Sequence, residues 1–157
     1  MGSIRVSAEG RVEAPAETAF GYLADMRAHR PAFLPPAFSG FLVESGGVGA
    51  GTITRFTVNA GGHRRTYRMR VTEPEPGRVL VESDTNSSLV TTTTVTPDGR
   101  ASRVRISTTW DGAAGAGGFF ERLFAPRVMQ GIYADALERL NVYAREQASA
   151  GGSEPGP

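Results

Sequence analysis

The sequence predicts an α+β domain, one antiparallel sheet covered by a long C-terminal helix, and three observations predict it. From Phe38 onward, apolar residues recur with period two in consecutive short segments, each closed by turn residues. The last long segment, Phe119 to Gln147, instead places large apolar side chains at steps of three and four, the period of a helix. The links between the strand segments are too short for crossover helices, so neighbouring strands must run antiparallel.

Each element has a local reason. Ile4, Val6, Ala8, Gly10 and Val12 alternate with Arg5, Ser7, Glu9 and Arg11, the pattern of a strand with one wet face. Ala14-Pro15-Ala16-Glu17 opens a helix, because proline is tolerated in the first turn and an acid there suits the helix dipole. Ala19, Phe20, Tyr22, Leu23 and Met26 supply its buried side. Arg30 to Pro36 contains Pro31, Pro35 and Pro36, so at most a short helical turn fits. Strands are expected at 38–45, 52–59, 63–73, 78–84, 88–96 and 101–110. Their junctions are Gly46-Gly47, Asn59-Ala60-Gly61-Gly62, Pro74-Glu75-Pro76-Gly77, Asp84-Thr85-Asn86 and Pro97-Asp98-Gly99. The β-branched run Thr91 to Thr94 favours a strand. Asp111 to Gly118 reads as a mobile glycine-rich link. In the final helix Pro126 should produce a bend, with Phe119, Phe120, Leu123 and Phe124 as a lid and Val128 onward sealing the core. Residues 1–147 read as a single domain, and 148–157 as a disordered tail.

Composition narrows the function. A chain of 157 residues, 39% hydrophobic and 21% charged, fits one globular domain that buries roughly two thirds of its unfolded surface. A net charge of +1 gives no footprint for nucleic acid, and Arg64, Arg65, Arg68 and Arg70 read as a solvated cluster split over two strand faces. No cysteine is present, which excludes disulfides and thiolate chemistry and fits a cytoplasmic setting. No stretch approaches the roughly 20 apolar residues of a membrane span. Gly46 to Gly51 looks like a phosphate loop, but a strand follows it where a helix is needed and it holds no lysine, so a flexible hairpin at the cavity rim is expected. His29 and His63 are the only histidines, without the spacing of a metal site; no metal and no cofactor are expected.

These elements carry a family resemblance over about residues 3–146. Val12 to Phe20 with Tyr22 to Asp25, the loop Gly46 to Thr52, Val71-Thr72-Glu73-Pro74 before Pro76-Gly77-Arg78, and Glu121 to Pro126 resemble the helix-grip superfamily. That superfamily includes START domains, pollen-allergen-like proteins and the polyketide cyclase/dehydratase and lipid-transport family. Pro35-Pro36-Ala37-Phe38 departs from the tryptophan-rich stretch many relatives carry. The resemblance implies a curved sheet of about seven strands wrapped around the C-terminal helix, one or two short helices after the first strand, and a hydrophobic pocket between sheet and helix.

Strand parity then selects the pocket residues. Tyr67, Met69 and Val71 share a face with Arg65; Val79 and Val81 oppose Arg78 and Glu82; Val104, Ile106, Thr108 and Trp110 oppose Arg103 and Arg105. Phe56 and Val58 oppose Arg55. The expected ligand-binding set is His29, Met69, Val81, Trp110, Phe120, Phe124, Val128 and Ile132. Arg65 and Tyr67 are the catalytic candidates: an inward guanidinium could polarise a ketone while the phenol transfers a proton. In the other reading Arg65 snorkels to the rim and Tyr67 packs in the core. Glu82 and Asp84 read as a solvated edge. The partner expected is a hydrophobic small molecule of polyketide, lipid or quinone type, bound by a monomer or homodimer. Catalysis as a polyketide cyclase/dehydratase, carriage or sensing without catalysis, and a chaperone-activator type of partner binding all stay open.

Overall fold

The computed structural model describes residues 3–60, 62–111 and 125–152. Strand β1 (Ser3–Val12) leads into helix α1 (Ala16–Ala24) and a single 3-10 turn (Arg30–Phe33). Six strands follow: β2 (Phe38–Ser45), β3 (Ile53–Ala60), β4 (His63–Glu75), β5 (Val79–Asp84), β6 (Val90–Asp98) and β7 (Ala101–Asp111). Helix α2 (Ala125–Gly152) ends the described chain. The strands form one seven-stranded sheet in the order β1-β7-β6-β5-β4-β3-β2, every pair antiparallel. This is the helix-grip architecture that the residues between Val12 and Pro126 resemble. No helix among the described residues is long and apolar enough to cross a membrane.

Helix α2 lays Tyr133, Leu137, Leu140 and Ala144 onto the inner face of the sheet, where they join Val6, Val104 and Ile106 in the main core. Their spacing of four, three and four keeps them on one stripe. Leu140 and Ala144 are each 1% exposed, as burial under a sheet demands. The helix continues to Gly152, into the stretch expected as a tail from Ala148. Pro126 is the second described residue of this helix, and the turn before it, where the bend was expected, lies outside the described residues. The expected lid, with Phe120 and Phe124, and the link before it lie outside the described residues.

Parity follows the apolar pattern in β1, β3, β4 and β7, and fails in β5. There Leu80, Glu82 and Asp84 point inward, and Val81 sits half-buried on the outer face. The cause is local: Val79-Leu80-Val81 is apolar on both parities, so alternation cannot choose. The β4–β5 pairing then shifts register between Thr72 and Glu75, around Pro74, and delivers Glu82 opposite the fully buried Val71. Glu82 and Asp84 are therefore 5% and 7% exposed, not a solvated edge.

The glycine loop is pinned. Met26 N–H donates to Gly47 O at 2.8 Å, Gly49 N–H to Ala24 O at 3.0 Å, and Ala50 N–H to the Glu73 carboxylate at 2.9 Å. A Cβ at Gly49 would lie 2.2 Å from Glu73 Oε2, on a backbone with φ of 64° that only glycine adopts freely. Gly49→Ala should therefore displace the Glu73 carboxylate and cost about 1–2 kcal/mol, read as a lowered urea midpoint with an unchanged slope.

Candidate functional site

One transverse row of the inner face carries most of the site. The register aligns Val71, Glu82, Thr91, Thr108 and Val6 across β4, β5, β6, β7 and β1. Three neighbouring positions of this row, between Val71 and Val6, thus bear oxygen. Tyr133 reaches down from α2 and closes the set. Its hydroxyl hydrogen-bonds the Thr108 hydroxyl, which meets the Thr91 hydroxyl at 2.7 Å. Burial pushes the Tyr133 phenol up to about 12, with the Glu82 charge adding to that and the Thr108 and Thr91 hydroxyls opposing it. Tyr133 is therefore protonated at any physiological pH, and its hydroxyl keeps a proton to donate.

Arg30 enters from the 3-10 turn. Its Nε and Nη2 both donate to Leu23 O, at 3.1 and 2.9 Å, so the guanidinium ties down a carbonyl near the end of α1. Nη2 also donates to Glu82 Oε2 at 3.2 Å, with side-chain exposures of 14% and 7%. Nη1 takes part in none of these bonds. A buried ion pair returns little net stability, because desolvation consumes most of the Coulombic gain.

Pair and hydroxyls border a cavity of about 90 Å³ between sheet and helix. Arg30, Glu82, Thr91 and Tyr133 all line it. Apolar groups make up most of the rest. Phe38, Phe41 and Phe56 form one aromatic wall, with Phe56 centred 5.2 Å from Phe38 and 6.1 Å from Phe41. Leu89 and Met129 face it from the β5–β6 hairpin and from α2.

Of the residues expected from sequence, Tyr67 and Met69 line this cavity. Arg65 shares their face but is exposed, its guanidinium 5.4 Å from the Tyr67 ring centre. Val81 is on the opposite face. Trp110 and Ile132 pack half-buried against the core clusters, and Val128 is half-buried, without lining the cavity. His29 stands outside it, in a cluster with Tyr22 and Tyr143, its Nδ1 2.6 Å from the Tyr143 hydroxyl. The sequence reading missed Arg30, Glu82 and Thr91 as site residues. The available signal was the inward register that Leu80 imposes on Glu82. Among the described residues no three metal-ligating side chains converge.

Residues 3–145 match the family model described as polyketide cyclase / dehydrase and lipid transport. The chain belongs to this family. As a member of the polyketide cyclase/dehydrase and lipid-transport family it also resembles several solved structures. The KanY protein is 33% identical, with 92% of this chain and 99% of that one covered at a TM-score of 0.81. The Zhui aromatase/cyclase from Streptomyces sp. R1128 is 18% identical, with 98% and 100% covered at 0.77. A START superfamily protein from Mycobacterium smegmatis is 14% identical, with 93% and 99% covered at 0.70. The last two similarities speak to the shared fold. Comparison with curated protein sequences finds no match.

Proposed function

We propose that the protein binds an apolar, oxygen-bearing small molecule of the polyketide type and catalyses its dehydration or cyclisation. The Arg30–Glu82 pair, set into an otherwise largely apolar wall, carries this reading. A wholly apolar lining suits carriage alone. An arginine, a carboxylate and a phenol on one cavity suit proton transfer beside a carbonyl. Arg30 takes the part that sequence reasoning gave to Arg65, and Tyr67 keeps a place on the wall. The family description and the likeness to an aromatase/cyclase support the same class.

The chemistry needs no other reactant. Arg30 donates from Nη1 to a ketone oxygen, while Glu82 accepts a proton from the adjacent carbon and an enolate forms toward the guanidinium. Glu82 then returns that proton to a β-hydroxyl, which leaves as water, and a conjugated enone remains with the protein unchanged. For cyclisation, the enolate carbon attacks a second carbonyl folded against it, whose oxygen takes the proton back from Glu82 as a hydroxyl, so positioning supplies much of the acceleration. The Tyr133–Thr108–Thr91 hydroxyls orient the oxygen-bearing end. At about 90 Å³ the cavity is smaller than the roughly 150 Å³ that admits a benzene ring. A ligand therefore enters by displacing side chains, with the half-buried Met129 and Leu89 at hand to give way.

The test follows an aromatic β-hydroxy ketone, with enone absorbance for turnover and quenching of Trp110 fluorescence for binding. Ala136→Phe, which fills the cavity from α2, should weaken binding at least about ten-fold, the loss that 1.4 kcal/mol produces. Glu82→Gln should lower turnover by about 10²-fold or more, with binding kept within a few-fold. Binding without any turnover in the unaltered protein would replace catalysis by carriage.

A further inference from the structure

We propose that the ligand of this cavity carries a monoanionic group, of carboxylate type, at its solvent end, and that Arg65 receives it. The inference rests on the cavity being the ligand site. Phe38, Val58 and Arg65 align in one row across β2, β3 and β4. Phe38 and Val58 both line the cavity, and the next row, Phe56 with Tyr67, does so too. Arg65 therefore extends the lined face by one position toward solvent, at the rim and not on the outer surface of the sheet.

Its guanidinium is held there. It lies 5.4 Å from the centre of the Tyr67 ring, which is itself part of the cavity wall. A guanidinium attracted to a ring face loses less freedom on binding than an untethered side chain. Arg65 is also electrostatically unspent. Arg55 and Arg68 share Glu44, Arg103 meets Glu9, Arg11 meets Glu13 and Asp98, and Arg30 meets Glu82. Among the described residues Arg65 has no such carboxylate. The inward Asp84, two positions from Glu82 on the same face, is already engaged by Ser87 Oγ at 2.5 Å and by the Arg68 N–H at 3.2 Å. One cation matches one negative charge. A carboxylate fits the guanidinium fork in both charge and geometry, whereas a phosphate monoester would leave charge over.

The ligand is then two-ended, with an apolar body among the phenylalanines, an uncharged oxygen at Arg30 and Glu82, and an anion at Arg65. The experiment compares 2-naphthoate with its uncharged isostere 2-naphthamide by Trp110 fluorescence at low ionic strength. The unaltered protein should prefer the naphthoate by about five-fold, the scale of an exposed ion pair, and lose that preference in about 0.5 M salt. Arg65→Gln should bind both equally, while Arg65→Lys should keep part of the preference. Equal binding of both probes by the unaltered protein overturns the inference and leaves the cavity reading standing. A preference that survives Arg65→Gln also overturns it, because the anion is then held elsewhere. If neither probe binds, the cavity reading itself has failed and the anion site falls with it.

Discussion

Replacing Arg30 with methionine is expected to destabilise the protein by about 3–5 kcal/mol, and adding Glu82→Leu to that chain should recover most of the loss. The single change strands the Glu82 carboxylate, at 5% exposure, beside an apolar cavity with its ion partner gone. It also removes both donors from Leu23 O. The double change replaces two desolvated charges by apolar side chains of similar bulk, which interiors accept readily. Urea unfolding of the four chains in the cycle measures the coupling directly. A fully recovered double variant that no longer discriminates ketone-bearing ligands from hydrocarbons would show that the pair exists for recognition. If the single variant loses less than about 1 kcal/mol, the pair is more hydrated than its exposure implies.

The second large effect is alkaline. Folded, Tyr133 keeps its proton to about 12, whereas an unfolded tyrosine releases it near 10. Between those values the unfolded chain binds fewer protons than the folded one, so stability falls as pH rises through the window. Holding the proton across that whole window corresponds to a loss of about 3 kcal/mol by its upper end. The window is unusually clean here, because all 17 basic side chains are arginines and no lysine titrates within it. Tyr143 is displaced in the same direction, desolvation first, so the informative comparison is with Tyr133→Phe. That variant should lose about 1 kcal/mol at neutral pH with the Thr108 hydrogen bond, then decline less between pH 10 and 12. Parallel decline of the two proteins would mean that Tyr133 ionises without cost and that its pocket is wet.

The fold was legible because it rests on patterns that single residues cannot disturb: alternation in β1, β4 and β7, turn glycines and prolines, and the four-three-four stripe of α2. The cavity wall was legible only where parity was unambiguous. Tyr67 and Met69 follow directly from Val71, which has a polar residue on either side. Val81 failed because Val79-Leu80-Val81 offers an apolar residue on both faces, and the register shift at Pro74 decides between them. Arg30 could not be read at all. Its placement depends on how a proline-bounded turn folds back across the sheet to Glu82, a contact between residues far apart in sequence. The threonine run carried the opposite kind of ambiguity: Thr91 and Thr93 line the cavity and Thr92 and Thr94 do not, and nothing in four identical residues distinguishes them.

The pairing of β1 with β7 has a consequence for synthesis. Ser3 lies against Asp111, and the same first strand supports α2, so both the sheet's completion and its cover wait for the C-terminal half of the chain. A chain emerging from the ribosome can form the β2–β7 meander through local hairpins, but its first strand stays without its final partner until β7 is made. The cavity has no roof before then. Capture of a ligand thus waits until α2 has been made, and any slow step in folding should be the docking of β1 and α2, not the growth of the hairpins between them.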